Sequence, residues 1–242
     1  MFRKIFIPTI PLLSLVVALE VLVRLQIIPS YLVPAPSEVL QSLTGEFSVY
    51  STAIMQTVSA ALLGLILSFI VGVFLAAVFQ LSEVLHQAVF PYTVLFQTVP
   101  IIAVAPLLVI WFGFGFYTIL ASAFIVSLFP ILAGSMHGLS QVSKEHLDLF
   151  KLYKASKLKV LFLLRMPSAK GAIFNGLKVA SGLSIVGAIV GEFIAGGGLG
   201  GLIDTARTQQ RVDQVFAAVI LSSVVGLIFI LVVNKISARI AD

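Results

Sequence analysis

Apolar residues run through this chain in long blocks rather than in strict alternation. Behind a basic start at Arg3-Lys4, the first block fills about residues 5–25, and five more cover about 54–79, 89–112, 117–137, 172–194 and 214–233. Each is near or above the ~20 residues that a helix needs to cross the hydrocarbon core of a bilayer. The first block is longer than the apolar stretch of a secretory signal and no small-x-small cleavage site follows it, so it reads as an uncleaved span. Two connecting segments have patterns of their own. Residues 27–53 are polar, with Pro29, Pro34, Pro36, Glu38 and Glu46, and Ser37-Glu38-Val39-Leu40 predicts a short helix lying on the outer face. From Lys144 to Arg165 the pattern is again helical: Leu147, Phe150 and Tyr153 recur at i, i+3, and Lys151, Lys154 and Lys157 do the same on another face. Pro167 is expected to end that helix, because proline lacks the N–H and crowds the preceding turn.

Composition supports this layout. Of 242 residues, 60% are hydrophobic and 10% charged, against about 45–50% and about 25% in a soluble domain. So few charges cannot cover a water-facing surface, which excludes a soluble enzyme, a disordered chain and a nucleic-acid-binding module. The expected fold is all-α and polytopic, one transmembrane domain over 1–242 with about six helices. The absence of cysteine removes disulfides, thiolate metal sites and a cysteine nucleophile.

The net charge of +5 matters through its distribution. With the N-terminus inside, eleven of the 15 basic residues fall on inner segments, seven of them in the loop 138–171, and only Arg24, Arg207 and Arg211 face outward. Basic residues collect on cytoplasmic ends, which predicts both termini inside. The loop 138–171 is the one long inner loop. Its paired apolar and basic stripes suit equally a helix resting on anionic lipid or a docking surface for a cytosolic partner.

Several single residues bear on chemistry. Pro91, Pro100 and Pro106 fall in or near the third span, where a broken helix either lines a path or makes a packing kink. Glu192, near the outer end of the fifth span, either touches solute or caps backbone beside the glycines at 196–198. Glu20 and Arg24 stand i, i+4 with the acid first, the favourable order for an intrahelical pair. Arg207 and Arg211 meet either acids of a binding protein or Asp204 and Asp213. Lys178 is expected to snorkel to the interface. Gly196 to Gly201 has no following Lys-Ser/Thr and so is no phosphate loop; it predicts a turn or re-entrant bend. His86, His137 and His146 have no metal-ligand spacing, so no metal site is expected. No G-x-x-x-x-G-K-[ST] occurs, so any ATP hydrolysis belongs to another polypeptide.

Three stretches resemble a known family. Asp148-Leu149-Phe150-Lys151-Leu152-Tyr153-Lys154-Ala155-Ser156, with Met166-Pro167, is similar to the cytoplasmic EAA loop of ABC importer permeases. Asp148 stands for the usual Glu, Leu149 and Phe150 for the two alanines, and Lys154 for the bend glycine, which points to a straighter helix or an atypical ATPase partner. Pro100-Ile101-Ile102-Ala103-Val104-Ala105-Pro106-Leu107, on through Trp111-Phe112-Gly113 to Gly115, resembles the third-span pattern of the nitrate/sulfonate/taurine and thiamine-pyrimidine-precursor type. Asn175 to Ala180, Gly191-Glu192-Phe193-Ile194, Gly198-Leu199-Gly200 and the upstream Val33 to Val39 resemble the same type, so the likeness covers about residues 30–235.

That resemblance implies a type I importer permease that carries a small polar solute, either a nitrate-, sulfonate- or taurine-like anion or a pyrimidine or vitamin precursor. It implies a homodimer in the inner membrane, two ATPase subunits carrying the ATP and Mg, and a periplasmic or lipid-anchored binding protein. Asp148, Lys151, Leu152, Tyr153, Lys154, Ala155, Ser156 and Pro167 become the expected coupling residues. Pro100, Ala103, Pro106, Trp111 and Glu192 become the expected path residues. The alternative is a self-sufficient secondary transporter or channel.

Overall fold

In a computed structural model of the chain, the backbone of residues 2–241 is described; the side chains of 2–9, 12, 83, 86, 90, 94, 96, 97, 240 and 241 lie outside the described set. The expectations for Arg3, Lys4 and His86 therefore fall outside it. The described residues form helices and connecting turns only: α1 (Phe2–Arg24), α2 (Pro36–Gly45), α3 (Phe47–Leu81), α4 (Glu83–Gln97), α5 (Ile101–Phe112), α6 (Phe116–Ser140), α7 (Lys144–Leu152), α8 (Lys157–Val160), a π-helical turn (Leu161–Arg165), α9 (Met166–Ala195), α10 (Gly198–Thr208) and α11 (Val212–Ala241). Among described residues, four helices are long and apolar enough to cross a membrane: Phe47–Leu81, Phe116–Ser140, the continuous rod Lys157–Ala195, and Val212–Arg239.

Two sequence expectations need correction. The span expected at 89–112 is two helices, α4 and α5, separated at Thr98-Val99-Pro100. Pro100 has no N–H and drives the residue before it out of helical geometry, so the break falls there. At 12 residues, α5 is about 18 Å long and too short to span alone. Pro91 and Pro106, by contrast, sit inside their helices. The helix expected from Lys144 to Arg165 also divides, at residues 153–156, and Pro167 does not end it. Pro167 lies in the first turn of α9. Just before it the backbone widens into the π turn, where Met166 N–H reaches Leu161 C=O five residues back. A proline's missing donor is least costly at that kind of position.

The core is built on the antiparallel pair α6 and α9, with α3 laid against both. The contact is close because glycines face backbone. A Cβ on Gly176 would lie 2.7 Å from the carbonyl oxygen of Pro130, one on Gly187 2.9 Å from Cα of Ala123, and one on Gly191 2.9 Å from Cα of Ile119. Gly64 of α3 is equally tight, with its Cβ position 2.7 Å from the Ala123 methyl and 3.0 Å from the backbone nitrogen of Phe124. Small residues let membrane helices approach until backbones touch, where dispersion and interhelical hydrogen bonds replace the hydrophobic drive that lipid does not supply. Hydroxyls tie the same seams. Ser122 Oγ donates to Gly187 C=O at 2.7 Å, and Ser68 Oγ lies 2.7 Å from Ser127 Oγ. Far from this seam, α1 is held to α2: Arg24 Nε donates to Glu20 at 2.6 Å, and Glu20 accepts from Ser37 N–H at 3.0 Å.

The seam makes a stability prediction. Gly176→Ala puts a methyl against backbone that cannot retract and should cost about 1–3 kcal/mol. Gly171→Ala, where nothing lies within 4 Å, should be neutral or slightly stabilising, as alanine is the better helix former. Thermal midpoints of the purified protein, read as monodisperse fraction after heating, should fall for Gly176→Ala alone; equal shifts for both would refute the close-contact account.

Candidate functional site

The loop between α6 and α9 forms a small rigid knob. Ser143 caps α7, its Oγ accepting from His146 N–H at 3.5 Å and meeting His146 Nδ1 at 2.7 Å. On the exposed face Lys151 Nζ donates to Asp148 at 2.8 Å. Such an exposed pair contributes little to stability. Helix α7 ends in two reverse hydrogen bonds, Ala155 N–H to Phe150 C=O at 3.0 Å and Lys154 N–H to Lys151 C=O at 2.9 Å. That pattern requires a left-handed residue just past the cap, a role usually filled by glycine. Here Lys154 takes it, with φ of 51°. The expectation of a straighter helix at Lys154 is thus overturned: the bend survives the loss of glycine. Ser156 then caps α8, accepting from Lys159 N–H at 3.4 Å.

The knob is anchored to the spans on three sides. Lys157 Nζ donates to Leu81 C=O at the end of α3 (3.3 Å), Arg165 donates to Leu139 C=O at the end of α6 (3.0 Å), and α8 runs through the π turn into α9 without a break. The predicted apolar stripe divides. Leu147, Phe150 and Ala155 turn half inward, while Leu152 and Tyr153 project from the tip, 81% and 79% exposed.

The expected path residues do not gather at one place. Helix α5 packs Ala105 and Leu108 inward and leaves Pro106, Ala103 and Trp111 on its outer face, with Pro100 exposed at the α4–α5 break. Glu192 is fully buried at the opposite end from the knob. There the first N–H groups of α10, which no helix can satisfy internally, each meet a side chain. Gly198 N–H donates to Gln56 Oε1 (2.8 Å), Leu199 N–H to Thr57 Oγ1 (3.0 Å) and Gly200 N–H to Glu192 Oε2 (2.9 Å). The glycine run is therefore a two-residue turn, Gly196-Gly197, followed by the first turn of α10. A Cβ on Gly198 would collide with the Glu192 carboxylate, and Gly198 has φ of 57°. Arg207 pairs with Asp204 at 2.8 Å and lies 5.7 Å from the centre of the Phe193 ring; Arg211 pairs with Glu46 at 3.2 Å and Asp213 at 3.3 Å.

Two cavities lie at different heights in the bundle. One of about 670 Å³ lies at the α10 end, lined in part by Thr52, Gln56, Phe114, Phe193 and Asp204. The other, about 880 Å³, lies between α5, α6 and α9, reaching from mid-bundle toward the knob. From the proline-rich stretch it takes Val99, Ile101 and Val104; its polar lining groups are Asn175 and His137. Sequence reasoning passed over Asn175, Gln56 and Thr57 as site residues. An amide or hydroxyl inside an apolar block was the available signal.

The family model described as a binding-protein-dependent transport system inner membrane component matches residues 64–242. The chain belongs to this family. It is 33% identical, over 80% of its length and 79% of the other's, to a probable ABC transporter permease protein of Haemophilus influenzae. It is 31% identical, over 95% of its length and 92% of the other's, to the formylaminopyrimidine transport permease protein ThiX of Halalkalibacterium halodurans. To the taurine transport system permease protein TauC of Escherichia coli it is 25% identical, over 89% of its length and 82% of the other's. Its fold is shared with a chain of the MetNI methionine ABC transporter in inward facing conformations, at a TM-score of 0.67 and 12% identity over 81% of this chain and 98% of that one. This is a multi-pass inner-membrane permease subunit of an ABC importer, and the family's task is transport rather than bond chemistry.

The site yields two predictions. A β-branched residue is strongly disfavoured in left-handed geometry, so Lys154→Val should open the 153–156 turn by about 1–2 kcal/mol, a roughly five- to thirty-fold rise in amide hydrogen exchange there. Lys154→Gly should leave exchange unchanged or slower; the opposite order would refute the left-handed cap. At the other end, Glu192→Ala strands the buried Gly200 N–H and should cost about 1–3 kcal/mol in thermal unfolding. Glu192→Gln keeps an acceptor oxygen and should lose less; equal losses would show that hydrogen bonding to α10 is not what Glu192 contributes.

Proposed function

We propose that this permease works as a homodimer, with one ATPase subunit seated on the knob of each copy. ATP and Mg are carried by those ATPases, and a periplasmic or lipid-anchored binding protein delivers solute to the α10 side. Both termini are cytoplasmic in this reading, which the concentration of eleven basic residues on one side supports. The single observation that carries it is the exposed Leu152-Tyr153 tip on a knob fixed to three spans. An apolar and aromatic tip with a basic flank suits burial in a protein cleft.

The geometry of α9 supports a reading by alternating access. Closure of the ATPase pair pushes the knob, and the unbroken rod Lys157–Ala195 carries the displacement along its length. The rod bears one wall of the larger cavity at Asn175 and Gly176, and at its far end the Glu192 carboxylate that holds α10. One rigid element thus touches the motor, the cavity and the outer closure. The carried solute is small and polar; relatives' names span a formylaminopyrimidine, nitrate and taurine.

Leu152→Ser with Tyr153→Ser should reduce ATP-driven uptake at least tenfold and release the ATPase during purification, while the permease itself stays folded, since both side chains are exposed. Unchanged uptake with the ATPase still bound would overturn docking at this tip.

A further inference from the structure

The larger cavity carries an inference about what passes through it, resting on the permease reading above. Among the described residues that line it, none is Asp, Glu, Lys or Arg. Its walls are apolar, with Val104, Val126, Val179 and Phe129 among them, and polar groups enter at Asn175 of α9 and His137 of α6. His137 Nε2 lies 2.8 Å from Gln141 Nε2. The Asn175 carboxamide makes no hydrogen bond with another described residue, although Asn175 stands in a membrane-spanning helix. Asn175 is exposed on the cavity wall, and lipid offers an amide no partner at membrane depth, so this side chain must face water, solute or another polar group there.

We propose that the transported solute is an uncharged, flat heterocycle bearing hydrogen-bond groups along one edge, and that Asn175 is the residue in this chain that reads that edge. Three features converge on this class. The described lining holds no charge of either sign, so an ion that gives up part of its water there gains no countercharge in return. A quaternary ammonium ion is normally held by a cage of aromatic faces, and Phe129 is the single aromatic residue among the described lining. A carboxamide offers a donor and an acceptor side by side, the arrangement that reads an amino group next to a ring nitrogen on a heterocycle, while the valines and Phe129 take up the ring faces.

The chain has no cysteine, so Val179→Cys places a unique thiol of this subunit on the cavity wall, where the native side chain is 59% exposed. The whole transporter, purified through a tag on this chain together with its ATPase and binding protein and placed in liposomes, is labelled with a fluorescent maleimide. Formylaminopyrimidine, taurine, nitrate or choline is present as the probe. The expected result is that formylaminopyrimidine alone slows labelling, about fivefold or more. Asn175→Leu should abolish that protection and raise the uptake KM about tenfold, the usual effect of losing one hydrogen bond. Asn175→Gln should restore part of the affinity. Protection by taurine, nitrate or choline overturns the proposal, as does the absence of protection by all four. Failure of the permease reading has a different signature, uptake that persists without ATP or without the ATPase.

Discussion

Everything in this molecule depends on how closely α6 and α9 approach. Lipid gives two apolar helices no reason to prefer each other, so a lasting interface needs contact that lipid chains cannot match. Here glycines on α9 meet backbone atoms of α6 along most of the crossing, and Ser122 adds a hydrogen bond to Gly187 C=O. The geometry is all-or-none in character: one added methyl at such a point must push two helices apart. Close packing of this kind transmits displacement instead of absorbing it, and a permease driven from one end needs a rod that does not bend.

That rod is the continuous run from Lys157 to Ala195. Its one irregularity is the π turn at 161–165, which lets Pro167 occur without a break. Such turns recur at functional positions in helices, and this one sits where the knob joins the span. Had Pro167 ended the helix, as its residue type alone suggests, the knob would hang on a hinge instead of continuing into the span.

The sequence made the apolar spans legible, since block length is a direct consequence of bilayer thickness. It also made α2 and the loop's place legible. What it concealed were helix ends. Three helices stop on non-glycine residues in left-handed geometry, Gln26, Lys154 and Gln210, each accompanied by the reverse hydrogen bonds of the same kind of cap. Without glycine the cap has no mark in the sequence, so Lys154 points there to a straighter helix or an atypical partner instead of to the bend that is present. The α4–α5 break was hidden for the opposite reason: three prolines stand nearby and all lack the N–H, yet Pro91 and Pro106 are carried inside their helices and only Pro100 lies at an interruption, so residue type alone does not mark the break. The cavity was less legible still. Signature residues Ala103, Pro106 and Trp111 point away from it, while Val104 and Asn175 face it, and which face of a short helix turns inward is decided by packing against α6 and α9.

A carboxylate buried in an apolar bundle needs a specific reason, and Glu192 has one. The N-terminus of α10 presents unpaired N–H groups and the positive end of a helix dipole, both of which favour a negative or strongly accepting group. Gln56 and Thr57 from α3 take two of those donors, and Glu192 from α9 takes the third. The first turn of α10 is therefore clasped by two different spans at once. If α9 shifts against α3, the clasp cannot keep all three bonds, because Gly198 leaves no clearance beside the carboxylate. The α10 end is consequently tied to the relative position of the same two helices, α3 and α9, that the knob contacts at the other end through Lys157 and the unbroken rod. The two ends of the bundle are thus joined through the same pair of helices, with the contacts at each end made by side chains fixed to α3 and α9.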